Sequence, residues 1–315
     1  MAITSAGRSV ARLNGPAATA KPLELEDPLN RYVFHPLARR LSRWLRPTGI
    51  SPNAVSAMSG LVVAAAAIAY AGLDWPVSVA AGFALHLSWH ILDGADGELA
   101  RLTGRASPLG ELIDGIADYM SHIFLYIVLA TFLLFPWLGP WAYLIALLAG
   151  MSRIVQSNHA ESQRRSYLWR VYDVPWLKQA AASGDELFER KGLVATISVT
   201  CARGYIKLAG ATSPRSAEID AALEAASGNA REEKLLKRLC RQSSRKAILL
   251  QHALGANPRT IALGVSMAAG SPIYFFIAEI SLLNLILVIS ILHQRRCNRA
   301  LVARLAGPRA PPADG

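Results

Sequence analysis

The sequence predicts an all-α integral membrane protein with six transmembrane helices, an N-terminal interfacial amphipathic helix and a cytoplasmic helical insert. Three observations carry this. Of 315 residues, 52% are hydrophobic and 17% charged, with a mean hydropathy of +0.28, which is too apolar for an ordinary soluble domain. Apolar runs recur near the roughly 20 residues that a helix needs to cross a bilayer. Lys and Arg are confined to alternate connecting segments, the pattern of loops that stay on the cytoplasmic side.

Taken in chain order, residues 1–29 read as a flexible N-terminus rich in Ala, Ser and Gly. They lack the continuous apolar core of a signal peptide, so internal spans must direct membrane entry. Residues 30–50 form the interfacial helix: Val33, Leu37, Leu41, Trp44 and Leu45 recur at helical spacing, and Arg39, Arg40, Arg43 and Arg46 take the other side. Pro36 suits a first helical turn, where its missing N–H costs nothing. Residues 51–157 hold four spans, at about 54–72, 76–92, 109–135 and 137–155. The insert occupies 158–257, with helix-forming stretches at 161–172 and 216–254. Residues 193–208 are moderately apolar, but Arg203 and Lys207 disqualify them as a span. Residues 258–295 hold the fifth and sixth spans, at about 260–270 and 272–292, and 296–315 form a basic tail.

The external links of this topology, at 73–75, 136–140 and near Ser271, contain no Lys or Arg. The inside segments carry Arg101, Arg105, Arg153, Arg164, Arg165, Arg295, Arg296 and Arg299. Both termini therefore face the cytoplasm, as expected of a multi-pass protein of the cell's inner (plasma) membrane. The net charge of +11 calls for an anionic partner, and the apolar runs favour membrane lipid over nucleic acid. Cys201, Cys240 and Cys297 have no paired spacing, which argues against a disulfide framework or a structural zinc site.

The chemistry concentrates in Asp93-Gly-Ala-Asp96-Gly97-Glu-Leu-Ala100-Arg101, followed by Gly110, Asp114 and Asp118. Asp93 and Asp96 are three apart and Asp114 and Asp118 four apart, so each pair lies on one helix face. The pairs sit at the inner ends of the second and third spans, joined by a short loop. Four carboxylates then converge at the membrane boundary, where each unpaired acid costs up to about 2.5–3.5 kcal/mol at mid-membrane and less near the interface. Protonation or divalent cations relieve this cost, and clustered hard oxygen ligands suit Mg²⁺ or Mn²⁺, with two ions able to clamp a pyrophosphate. Gly97 and Gly110 allow close approach of a nucleotide, Ala100 leaves room, and Arg101 can hold a phosphate bidentately.

This stretch resembles the signature of the CDP-alcohol phosphatidyltransferase family, D-x2-D-G-x2-A-R-x8-G-x3-D-x3-D, without a mismatch. Ser51-Pro52-Asn53 also looks like that family's entry to its first span, whereas the insert is long for the family. The resemblance implies that Asp93, Asp96, Asp114 and Asp118 ligate divalent metal. It makes Asp118 the general base as well, and gives Gly97, Ala100, Arg101 and Gly110 the CDP moiety of the donor. It further implies a homodimer that transfers a substituted phosphate group from a CDP-activated lipid to a small polar alcohol, releasing CMP. Arg153 and His122 are the candidate acceptor residues, with inositol or inositol phosphate the first guess and glycerol 3-phosphate, serine and choline open.

Blander readings stand beside these. The acids can form a solvated loop paired with Arg101 and Arg105, and His122 can be a packed histidine. Glu279 and Asn284 in the sixth span are explained by interhelical contacts as readily as by substrate. A cation-coupled transporter would place acids at the bilayer midplane with broken helices in both halves. A scaffold descended from the enzymes would not need the quartet intact.

Overall fold

The computed structural model describes residues 22–106, 108–174, 193–226 and 228–306. The expected flexible N-terminus falls outside the described residues as far as residue 21, and the tail does so from 307. Among the described residues all regular structure is helical.

Helix α1 (His35–Leu45) follows a π-helical turn at Asn30–Phe34 and carries Pro36 in its first turn. It buries Ala38 and Ser42, and the turn before it buries Phe34, a narrower face than the sequence pattern suggested. Ala38 packs with Val55, Ala95 and Leu99, and the Ser42 hydroxyl lies 2.8 Å from the carbonyls of both Ala38 and Ala95. A Cβ on Gly94 would come within 3.1 Å of the Ala38 methyl, so the glycine allows this close approach. Tyr32, Val33, Leu37 and Trp44 remain exposed beside the arginines.

Helix α2 (Pro52–Gly72) starts at Ser51, whose side chain accepts from the Ala54 N–H at 3.2 Å, a cap worth about 1 kcal/mol. Its small residues Ala66 and Ala67 are buried, and the Tyr70 ring lies flat over Gly82 of α3 (Val77–Leu102). Helix α4 (Pro108–Leu129) continues through a π-helical turn at Ala130–Leu134. Helix α5 (Trp141–Tyr172) runs unbroken from the bundle into the insert. The insert contains α6 (Leu193–Thr212), α7 (Ser216–Ala226) and α8 (Ala230–Ala253). Arg170 of α5 donates to Asp220 of α7 at 2.8 Å inside it. Helices α9 (Ala256–Ala268), α10 (Ile273–Ile280) and α11 (Leu282–Ala306) complete the chain, so the first part of the expected tail is helical.

Among the described residues, three helical stretches are long and apolar enough to cross a membrane: Pro52–Gly72, Asp114–Leu138 and Ile273–Arg304. The other expected spans fall short for physical reasons. Helix α3 carries Asp93, Asp96, Glu98 and Arg101 at one end, α5 turns polar after Val155, and the 13 residues of α9 reach only about 20 Å. The core gathers Val63, Tyr70, Trp89, Leu125, Leu129, Ala146, Leu263 and Phe276 from α2, α3, α4, α5, α9 and α10. Outward, Leu61, Ile68, Phe132, Leu147 and Leu285 are exposed. Apolar residues on the outside of long apolar helices mark a membrane protein.

Within this bundle Arg259 of α9 and Glu279 of α10 form a fully buried ion pair at 2.9 Å. Gln156 of α5 accepts from Arg259 at 2.7 Å and donates to Asn284 of α11 at 2.8 Å. The interhelical explanation for Glu279 and Asn284 is the one the structure supplies.

Candidate active site

The acid-bearing end of α3 leads toward α4 through a turn in which Gly104 adopts φ +66°, the left-handed region glycine tolerates. That turn sets the two acidic faces together. Asp96 is buried, with Ser56 of α2 donating to its Oδ2 and the Gly97 N–H pointing at its Oδ1. So held, Asp96 meets Asp114 of α4 within hydrogen-bonding reach, and Asp93 and Asp118 lie within electrostatic range of Asp114. The structure therefore brings the predicted quartet into one neighbourhood.

Two carboxyls in contact need a proton or a cation between them. Asp118 Oδ1 is buried without a hydrogen-bond partner. An all-oxygen donor set and a carboxyl pair in contact fit a hard divalent ion by chemistry. Among the described residues no three acidic, His or Cys side chains are drawn close enough to form a finished coordination shell.

The residues expected to receive the nucleotide lie beside this pair. A Cβ at Gly97 would meet only the Arg101 guanidinium, at 3.7 Å, so no packed neighbour covers that backbone. Ala100 is half-buried, as is Gly110 at the start of α4. Arg101 is exposed and pairs with Glu98 at 2.7 Å, three residues back. Such surface pairs are worth a few tenths of a kcal/mol, so a phosphate can displace Glu98 at small cost.

The two candidate acceptor residues differ in placement. Arg153 is buried on α5, its guanidinium 5.9 Å from the Tyr126 ring centroid and within electrostatic range of Asp118 and Glu279. His122 is buried with its Nδ1 2.8 Å from the Asp118 carbonyl. Arg164 and Arg165 are both engaged by Glu161, each at 2.7 Å through Nε. Burial pushes the Glu161 carboxyl up, but the two guanidiniums outweigh it and hold the group well below the usual carboxylate range.

Several residues at the site carried no separate sequence signal. Ser56 sits forty residues from Asp96, and Thr260 lies 170 from His90, whose Nε2 it approaches to 2.9 Å. His86 and His90 share one face of α3 at a spacing of four, a signal that was available and passed over.

Comparison with known proteins gives a match to one family over part of the chain. Residues 49–179 match the family model described as CDP-alcohol phosphatidyltransferase, a span that includes every acid of the quartet. This segment, less than half of the chain, is similar to a CDP-alcohol phosphatidyltransferase domain. The chain is 28% identical over 165 residues to ethanolaminephosphotransferase 1 of Mus musculus, covering 48% of this chain and 40% of the relative. It is 37% identical over 108 residues to the bifunctional IPC transferase and DIPP synthase of Thermococcus kodakarensis, covering 34% of this chain and 24% of the relative. The human ethanolaminephosphotransferase 1 is 26% identical over 162 residues, 37% of this chain and 41% of its own length. The matches thus span less than half of each curated relative. Within the domain, the acids, the uncovered backbone at Gly97 and Arg101 all lie at one end of α3 and α4.

Proposed function

We propose that the protein is a metal-dependent CDP-alcohol phosphotransferase that moves a substituted phosphate group, phosphatidyl from CDP-diacylglycerol, onto a small polar alcohol with release of CMP. The observation that carries this is the Asp96–Asp114 contact beside the uncovered Gly97 backbone and Arg101. Asp93, Asp96, Asp114 and Asp118 would hold Mg²⁺ or Mn²⁺, two ions in all, which when bound neutralise the pyrophosphate and stabilise its developing charge. Asp118 accepts the proton of the acceptor hydroxyl. The acceptor oxygen then forms a bond to the phosphorus that bears the lipid alcohol, and the bond from that phosphorus to the CMP oxygen breaks. Gly97, Ala100 and Gly110 let the nucleotide lie against the helices, and Arg101 neutralises the departing phosphate.

The acceptor reading is inositol or inositol phosphate, supported by buried Arg153 within range of Asp118. The relatives' names add ethanolamine chemistry to the comparison, so the decisive assay includes both donor types. Six spans with the site and both termini on the cytoplasmic side of the inner membrane, and assembly as a homodimer, complete the proposal. The exposed Tyr32, Val33, Leu37 and Trp44 beside Arg39, Arg40 and Arg43 support α1 as an interfacial helix.

Purified protein incubated with Mg²⁺, CDP-diacylglycerol or CDP-ethanolamine and a panel of alcohols should yield CMP and one lipid product, identified by mass spectrometry. Asp118→Asn and Asp93→Ala should lower CMP formation by about 10²-fold or more. Folded variants that keep normal CMP formation would end this reading.

A further inference from the structure

Behind the acids, three histidines meet inside the bundle. His86 and His90 come from α3 and His122 from α4, all buried, with the buried Trp89 among them. The His122 ring centroid lies 4.6 Å from that of Trp89 and 5.6 Å from that of His86. Thr260 of α9 holds the far side, its Oγ1 2.9 Å from His90 Nε2 and 3.4 Å from His86 Nε2. Phe34 stacks on His90 at 4.7 Å. Four parts of the chain therefore fix this cluster, and none of its rings opens to the site.

The hydrogen bonding of His122 fixes its tautomer. Its Nδ1 is 2.8 Å from the main-chain carbonyl of Asp118, which can only accept, so Nδ1 carries the hydrogen. The same nitrogen faces Asp118 Oδ1 at 3.3 Å. That oxygen is buried and makes no well-aligned hydrogen bond of its own, although the Asp118 side chain as a whole is 29% exposed. With Oδ1 buried against His122, the exposure belongs to the rest of the side chain. Trp89 and His86 wedge the far edge of the imidazole, so it cannot swing away.

We propose that His122 is a positioning residue that holds the Asp118 carboxylate with one oxygen in and one oxygen out, presenting a single oriented oxygen to the reaction. This rests on the reading of Asp118 as the base, and it replaces an acceptor-binding role for His122. The ring itself touches neither substrate. Hydrogen-bonded partners of a ligating or reacting carboxylate typically change metal affinity or activity by about 10–100-fold when removed.

The test compares His122→Leu, which deletes the donor, with His122→Asn, whose amide N–H falls near the position of Nδ1. In detergent-purified full-length protein, His122→Leu should lower kcat for CMP formation by about 10–100-fold while KM for the CDP donor stays within about twofold. His122→Asn should recover kcat to within about threefold. Mn²⁺ binding without substrates, followed by electron paramagnetic resonance, should weaken about 10-fold in His122→Leu and return in His122→Asn. Unchanged kcat and Mn²⁺ binding in His122→Leu, or equal losses in both variants, would overturn the proposal, because a merely structural imidazole predicts no rescue by an amide. Asp118→Asn separates the two readings. If it is inactive, the kcat arm judges His122; if it is active, the base assignment falls and the Mn²⁺ arm judges His122 alone.

Discussion

The Arg259–Glu279 pair offers the sharpest test of how the bundle is held together. Arg259 donates through Nε to Glu279 at 2.9 Å, through Nη2 to Gln156 at 2.7 Å, and through Nη1 to the Leu254 carbonyl and, at 3.2 Å, to Ser157. Its side chain is 2% exposed and that of Glu279 0%. In Arg259→Met the chain keeps its length but loses every donor, leaving a carboxylate, an amide oxygen and a carbonyl buried together. Glu279 already has one oxygen without a partner and would keep only the Tyr126 hydroxyl, 3.3 Å from its Oε1. Breaking a buried pair from one side costs about 3–5 kcal/mol, a factor of roughly 10² to 4 × 10³ in the folding equilibrium. Glu279→Leu should cost a similar amount by stranding the guanidinium. The double variant removes both charges, and its loss should fall short of the summed single losses by at least about 2 kcal/mol. Equilibrium unfolding in mixed micelles, read by circular dichroism, measures all four corners of the cycle. A double variant whose loss equals that sum would refute the claim that the two charges hold each other.

Three further outcomes follow from the packing and the nucleotide face. A Cβ at Gly82 would lie 2.5–2.7 Å from three carbons of the buried Tyr70 ring, so Gly82→Ala should destabilise the bundle by about 1–3 kcal/mol in the same assay. Gly204→Ala, on α6 with nothing within 4 Å, should instead stabilise by about 0.8–1 kcal/mol, and the contrast controls for helix propensity. Arg101→Lys should raise KM for the CDP donor about 10-fold with a smaller change in kcat, because a lysine cannot reproduce the planar, two-pronged grip on phosphate. Steady-state CMP release reports it, and an unchanged KM would remove Arg101 from the donor site.

The sequence made the acidic faces legible because helical spacing is local: residues three and four apart must share a face wherever the helix lies. It also showed the short loop between those faces and the proline in the first turn of α1, both short-range features. What it hid depends on tertiary partners. Nothing in the chain near Glu279 announces Arg259 twenty residues earlier, since the pairing depends on how α9 and α10 pack around Gln156. The face of α1 that packs on α3 is the small one, Ala38 and Ser42, because a glycine opposite draws the backbones together. Apolar periodicity pointed to the larger residues, of which Leu41 and Leu45 pack at the edge of this contact while Val33, Leu37 and Trp44 stay outside. The span count is weakest where polar site residues share a helix with the apolar run, as in α3, because hydropathy averages the two.

Helix α5 deserves a mechanical reading. Its 32 residues make a rod of about 48 Å, well beyond the roughly 30 Å of a hydrocarbon core. Along it, Ser152 and Gln156 engage Asn284 in the bundle, Asn158 reaches the Tyr205 carbonyl of α6, and Arg170 grips Asp220 of α7. With no proline or loop between these attachments, torque applied to the insert is delivered along the rod to Arg153, one turn from the bundle's polar centre. A partner that seized the insert would in effect be holding a lever whose short arm lies beside Asp118.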